Sequence, residues 1–193
     1  MTKSIVVAAA GLALLGLPAV AEPAASPLIV SVYTKYDTKN CPHQRGKDVE
    51  DYGSWRCGGY AGIPVLVSAG DQRMLISFGR NAAREPAASQ TLPSFNNAYE
   101  GTIEWRLETL PNGKTRPFAT ILRWNVRQES DERTSTGRTL VVTRLGPNGV
   151  CHVGYVDGRD PKGNELARQL ADRHARKFRC GTDDARQTEP DKD

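Results

Sequence analysis

The run Thr139–Gly181, TLVVTRLGPNGVCHVGYVDGRDPKGNELARQLADRHARKFRCG, decides the fold. Thr139 to Leu145 is rich in β-branched residues, which suit a pleated, half-buried surface. Gly146-Pro147-Asn148-Gly149 then reads as a hairpin turn, because Asn-Gly supplies the positive φ angles a two-residue turn needs. Val150 to Asp157 reads as the returning strand. Simple alternation puts Cys151, Val153 and Tyr155 on one face, and His152, Gly154 and Val156 on the other. Gly158, Pro161 and Gly163 end that strand. Asn164 is then placed to cap a helix, with Asp160 and Glu165 near the positive end of its dipole. Leu166, Leu170, His174 and Phe178 recur every four residues and form its apolar stripe. Arg173, Arg176, Lys177 and Arg179 crowd the C-terminal end, where cations are favoured, and Gly181 suits a left-handed cap.

Lengths predict a disulfide. The strand from Cys151 to Asp157 spans roughly 20–23 Å, and a helix from Asn164 to Phe178 spans about 22 Å. If the helix runs back antiparallel to the strand, Cys180 returns to Cys151. A Cys151–Cys180 bridge is therefore expected, with roughly 3.5 kcal/mol from chain entropy.

Working outward, Lys3, the apolar run Ile5 to Val20 and Ala19-Val20-Ala21 read as a secretory leader over residues 1–21. The run is short and rich in Ala and Gly, which disfavours a retained span. No cysteine precedes Cys41 and no twin arginine precedes the run, so general secretion is the simpler route. A Pro/Ala spacer follows at 22–27, then one domain over 28–181 and a polar tail over 182–193, expected to be disordered.

Within the domain, Leu28 to Tyr36 reads as a strand. Asp37 to Gly62 is a long polar connection, which a Cys41–Cys57 bridge would stabilise by roughly 3 kcal/mol. Ile63 to Ser68 and Arg73 to Gly79 form a hairpin around Ala69-Gly70-Asp71, with Met74, Ile76 and Phe78 on one face. Arg80 to Pro93 reads as a short helix or loop. Gly101 to Thr109 alternates, with Ile103, Trp105 and Leu107 inward and Thr102, Glu104, Arg106 and Glu108 outward. Pro111-Asn112-Gly113 turns the chain. Phe118 to Val126 returns with Phe118, Leu122, Trp124 and Val126 on one face. Gln128 to Arg138 is charged and reads as an exposed loop. The expected fold is mainly β (α+β): an antiparallel, hairpin-built sheet or sandwich of about seven strands with one C-terminal amphipathic helix packed on it and two disulfides.

Four cysteines behind an export signal favour two disulfides, Cys41–Cys57 and Cys151–Cys180. A metal site built from them and His43 or His152 is the competing reading, but closed zinc sites draw on close CxxC pairs and none is present. The net charge of +4 comes from scattered Lys and Arg beside acids, without the cationic stripe of a nucleic-acid protein. There is no nucleophile elbow, HExxH helix or phosphate-cradling glycine pattern. His174 reads as a core residue on the helix stripe. Asp48, Glu50 and Asp51, and the outward Glu104 and Glu108, read as solvated. No catalytic residue, metal or cofactor is assigned. Tyr52, Trp55 and Tyr60 on the cysteine loop form a candidate interaction surface, since aromatics on a rigid loop can stack on sugars or dock a partner. Folding back over the core is their competing role.

Gly53-Ser54-Trp55-Arg56-Cys57, Thr120-Ile121-Leu122-Arg123-Trp124 and Val141-Val142-Thr143-Arg144-Leu145 with Val150-Cys151-His152-Val153-Gly154-Tyr155-Val156 resemble a group of small exported proteins of Gram-negative bacteria with no assigned activity. The resemblance covers most of the chain after the leader and implies a periplasmic or secreted location. The expectation is a non-enzymatic binding, inhibitor or envelope-accessory domain. It would be monomeric, without a membrane span after leader cleavage, and would meet a protein or glycan partner in the cell envelope. The alternative is a hydrolase of cell-wall glycan or peptide using His152 or an acidic pair.

Overall fold

The computed structural model describes residues 27–45, 52–130 and 133–188. In chain order the strands are β1 (Ile29–Asp37), β2 (His43–Arg45), β3 (Gly53–Gly58), β4 (Pro64–Gly70), β5 (Arg73–Phe78), β6 (Phe95–Asn97), β7 (Glu100–Thr109), β8 (Thr115–Ser130), β9 (Arg133–Arg144) and β10 (Cys151–Asp157). Helix α1 (Gly163–Leu170) continues into a wider π turn, Ala171–Ala175, and β11 (Arg186–Thr188) closes the described chain. The larger sheet has seven strands in the order β1-β7-β8-β9-β10-β11, with β6 sharing the β7 edge of β8. The smaller sheet has the order β2-β3-β4-β5. All pairings are antiparallel except β10 with β11.

This is the expected antiparallel β architecture with one C-terminal helix and both disulfides: Cys41–Cys57 and Cys151–Cys180 are bridged, with Cα atoms 5.0 and 5.7 Å apart. The strands number eleven rather than about seven. The surplus comes from short pairings at β2, β6 and β11 and from splitting into two sheets. The expected leader over 1–21, most of the spacer over 22–27, and Asp48, Glu50 and Asp51 lie outside the described residues. Among the described residues, no helix is long and apolar enough to cross a membrane.

Two apolar clusters flank the larger sheet. Between the sheets, Ile103, Trp105, Leu122, Trp124 and Val141 meet Val65, Val67, Met74, Ile76 and Phe78. Under the helix, Ile121, Leu140, Val142, Val153 and Val156 meet Ala167, Leu170, Ala171, Ala175 and Phe178. Leu166 and His174 sit half-buried at the rim of the expected stripe. The π turn widens the helix by one residue per turn, which hands the buried positions to alanines. The helix begins one residue earlier than expected. Asn164 does not cap it; its Oδ1 accepts from Arg123 Nη2 at 3.0 Å.

Several expectations are corrected. Gln128 to Arg138 is not a loop: β8 and β9 stay paired out to Ser130 opposite Arg133. Paired backbone satisfies its own polar groups, so charged side chains do not prevent a strand there. The tail expected after Cys180 is ordered in part, since β11 pairs with β10. Gly154 permits that approach, because a Cβ there would lie 2.4 Å from the Arg186 carbonyl oxygen. The β9–β10 turn is also longer than two residues. Gly149 alone takes the left-handed conformation, at φ 106°, after a turn over Gly146–Gly149.

Two β-bulges break the simple alternation. One in β8 opposite Arg106 and Leu107 turns Phe118 toward the helix, away from Leu122, Trp124 and Val126. The other, at Val153 in β10, leaves Cys151 and Val153 under the helix but swings Tyr155 to the opposite face beside His152. A bulge sets two residues against one, so side chains beyond it exchange faces.

Glu104, Arg106 and Glu108 do point away from the apolar cluster between the sheets, but they are not solvated: each is buried. Arg106 holds Asp172 in the π turn through Nε at 3.0 Å and Nη2 at 2.6 Å. Arg168 holds Glu104 through Nε at 2.6 Å and Nη2 at 3.2 Å. Ser31 links the two, donating to Glu104 and accepting from Arg106. Glu108 faces Arg116 at 2.8 Å and Arg176 at 3.7 Å. Two-pronged guanidinium–carboxylate contacts fix geometry as well as charge, so this row sets the helix on the sheet.

Candidate functional site

Two adjoining open concavities lie where β1 ends and β7 begins, against β3. One cleft of about 520 Å³ is lined by Asp37, Thr38, Lys39, Trp55, Asn97, Tyr99, Glu100 and Asn125. A neighbour of about 730 Å³ shares Asp37, Glu100 and Asn125 and extends to Lys35, Tyr36 and the Cys41–Cys57 bridge. Their size suits a ligand of a few rings.

Local sequence builds each wall. Asp37 ends β1 and caps a single helical turn, Thr38–Asn40, accepting from the Lys39 backbone N–H at 2.9 Å and Asn40 Nδ2 at 3.2 Å. The Cys41–Cys57 bridge then ties that turn to β3. On β3, Trp55 is half-buried. His43 of β2 stacks on its ring with centroids 4.9 Å apart and planes 14° apart. Tyr99 meets it edge-on at 5.7 Å and 87°, and keeps 45% of its own surface exposed. Asn125 Nδ2 donates to Asn97 Oδ1 at 3.2 Å across the β6–β8 pairing. Beneath the clefts the Tyr36 hydroxyl donates to the Ala98 carbonyl, and burial, with the nearby Glu100 carboxylate, pushes its pKa up. Tyr36 is therefore a fixed neutral donor, and Asp37 and Glu100 face each other across β1 and β7 at the shared lip.

The expected surface of Tyr52, Trp55 and Tyr60 is not brought together as one patch. Of the three, Trp55 lines one of the two clefts described above, and Tyr52 and Tyr60 line neither. Tyr52 is exposed and lies over Gly70, where a Cβ would come within 2.3 Å of its ring. Tyr60 is half-buried, with its ring 6.2 Å from that of Trp105, and takes the core-covering role. Tyr99, Asn97 and Asn125 escaped the sequence reading. Their signal was an amide-rich turn with an aromatic, Asn96-Asn97-Ala98-Tyr99, between two strands.

His152 is excluded from open-cleft chemistry by its burial, at 1% exposed. Its Nδ1 lies 3.0 Å from the Tyr155 hydroxyl, and its ring meets Trp124 edge-on at 5.9 Å. Burial lowers its pKa to about 4, and raises that of Tyr155. The group is a neutral core pair at pH 7. His174 is only partly buried, with its pKa lowered by burial and by Arg186 and Arg173. Among the described residues, no cluster of three or more His, Cys, Asp or Glu is placed to hold a metal ion, and all four cysteines are bridged. Comparison with protein-family models, with curated proteins and with solved structures returned no match.

Proposed function

We propose that this chain is an exported binding domain of the bacterial cell envelope, that its ligand is a glycan, and that the cleft at Trp55 and Tyr99 holds it. The observation that carries the reading is the pairing of ring and amide in that cleft. The exposed Tyr99 ring offers an apolar platform, and Asn97, Asn125 and Asp37 stand beside it with hydrogen-bonding groups. A sugar has the same two faces, C–H on one side and hydroxyl around the rim. The export signal, the two disulfides and the resemblance to exported proteins support the location.

The test uses tryptophan fluorescence. Trp105 and Trp124 are buried, so Trp55 is the tryptophan a ligand can reach. Titration with cell-wall glycan fragments should change its emission saturably. Tyr99→Ala should weaken binding roughly three- to tenfold, the range expected of one aromatic contact. Wild-type affinity in Tyr99→Ala, or silence from every glycan, sinks the proposal.

A second reading, hydrolysis of the same glycan, draws on Asp37 and Glu100 facing each other at the lip. A pair of carboxylates is the usual machinery of glycoside hydrolysis. Product release that stops in Asp37→Asn and Glu100→Gln, with binding retained, would favour it. Binding without turnover in the unaltered protein would remove it.

A further inference from the structure

At the other end of β7, roughly 27 Å from Glu100 by strand rise, a further concavity is lined by Glu108, Arg116, Phe118, Arg144, Gly146 and Arg176, among others. It is small, about 70 Å³. It is several-fold smaller than either cleft at the other end of the strand, so it is scaled to one small ion rather than a ring or peptide. Three guanidiniums and one carboxylate line it. Glu108 is held by Arg116 at 2.8 Å and approached by Arg176 at 3.7 Å. Arg176 lies over the Phe118 ring, 4.5 Å from its centroid, which fixes it at the rim. The bulge in β8 puts Phe118 there.

Arg144 is the group the fold does not account for. It is 5% exposed, its Nη1 donates to the Gly149 carbonyl at 2.5 Å, and its Nε has no partner. Among the described residues no carboxylate forms an ion pair with it; Glu85 opposes its charge only from longer range. Tethering the β9–β10 turn would use one donor of five. A guanidinium buried without a paired anion is costly, and an anion in the pocket it lines removes that cost.

We infer that the Arg116–Arg144–Arg176 pocket is an oxyanion site that takes a phosphate group. Arginine's planar fork matches phosphate oxygens two at a time, and Arg116 and Arg176 close the rim from two elements. This site stands apart from the Trp55 cleft and does not rest on the glycan reading.

The test is calorimetric titration of the full-length protein with inorganic phosphate at low chloride. Saturable binding is expected, weakened roughly tenfold in Arg176→Gln and in Arg116→Gln, both at the rim and both expected to fold. Glu108→Gln should instead tighten binding several-fold, because it removes the carboxylate that competes for the same arginines. A purely structural arginine cluster would show no such gain. Vesicles of phosphatidylcholine with and without phosphatidic acid separate the sources. Capture by phosphatidic acid beyond that by equally charged vesicles lacking a phosphomonoester supports a lipid headgroup. Binding of free phosphate without such capture supports a soluble source. No saturable phosphate binding by the unaltered protein, or unchanged affinity in both rim variants, overturns the inference.

Discussion

The two faces of β7 are both buried, yet by opposite means. Toward the smaller sheet, β7 sends Ile103, Trp105 and Leu107 into an apolar cluster, where Trp105 Nε1 donates to Thr34 Oγ1 at 2.8 Å. Toward the helix, the same strand sends Glu104, Arg106 and Glu108 into paired charge. The lesson is that alternation along a strand reports a change of neighbour, not a change from protein to water. The apolar face supplies stability through area and dispersion. The charged face supplies position, since an ion pair taken from water gains little net energy but tolerates only one geometry.

The largest test of that contrast is Trp105→Ala, which should cost about 3–5 kcal/mol in urea unfolding through the cavity left against Phe78. Arg106→Ala comes next, at about 3 kcal/mol, because it leaves the Asp172 carboxylate without its two-pronged partner and takes a cation from beside Glu104. Replacing Arg106 and Asp172 together should cost less than the two single changes added, with a coupling of about 1–3 kcal/mol. A loss in Arg106→Ala near the 0.5 kcal/mol of an exposed pair would mean the helix face is wet, and the contrast would collapse.

The smallest effect concerns pH and the apolar face. His152 is held neutral in the folded state, with its pKa lowered from 6.5 to about 4. The unfolded chain takes up a proton near pH 6.5, and the folded chain does not until about pH 4. Stability from this site is therefore complete above the unfolded value and lost as pH falls through that window, by roughly 2–3 kcal/mol at pH 4.5. His152→Gln should flatten the acid limb of stability between those values. An unchanged acid limb would place the titrating groups on the helix face instead.

Much of this was legible in the sequence. Period-two patterns gave the hairpins, and strand and helix rise gave the Cys151–Cys180 pairing, because both depend on local geometry. The bulges were not, and each moved residues that matter. Phe118 left the face of Leu122, and Tyr155 joined His152. Pro117, which cannot donate to a ladder, and Gly154, which lacks a side chain to pack, were the available signals. Of the candidate site, Trp55 was legible as an aromatic on a stapled segment. Its companions Asn97, Tyr99 and Asn125 come from β6, the following turn and β8. Only tertiary pairing brings them together, and no spacing in the chain encodes it.

One edge of the fold is closed by side chains rather than by a strand. Beyond its short pairing with β11, β10 is covered by the segment Glu85–Gln90. The Glu85 carboxylate accepts from the Val150 N–H at 2.8 Å, Ala87 N–H donates to the Val150 carbonyl at 2.9 Å, and Gln90 accepts from the His152 N–H at 2.8 Å. Two of these three bonds belong to residues that a single codon change can remove. Substituting Glu85 and Gln90 leaves the backbone of β10 unaltered but its amides bare, which is a template for strand-to-strand association between molecules. Protection of this edge in the folded protein therefore hangs on two side chains.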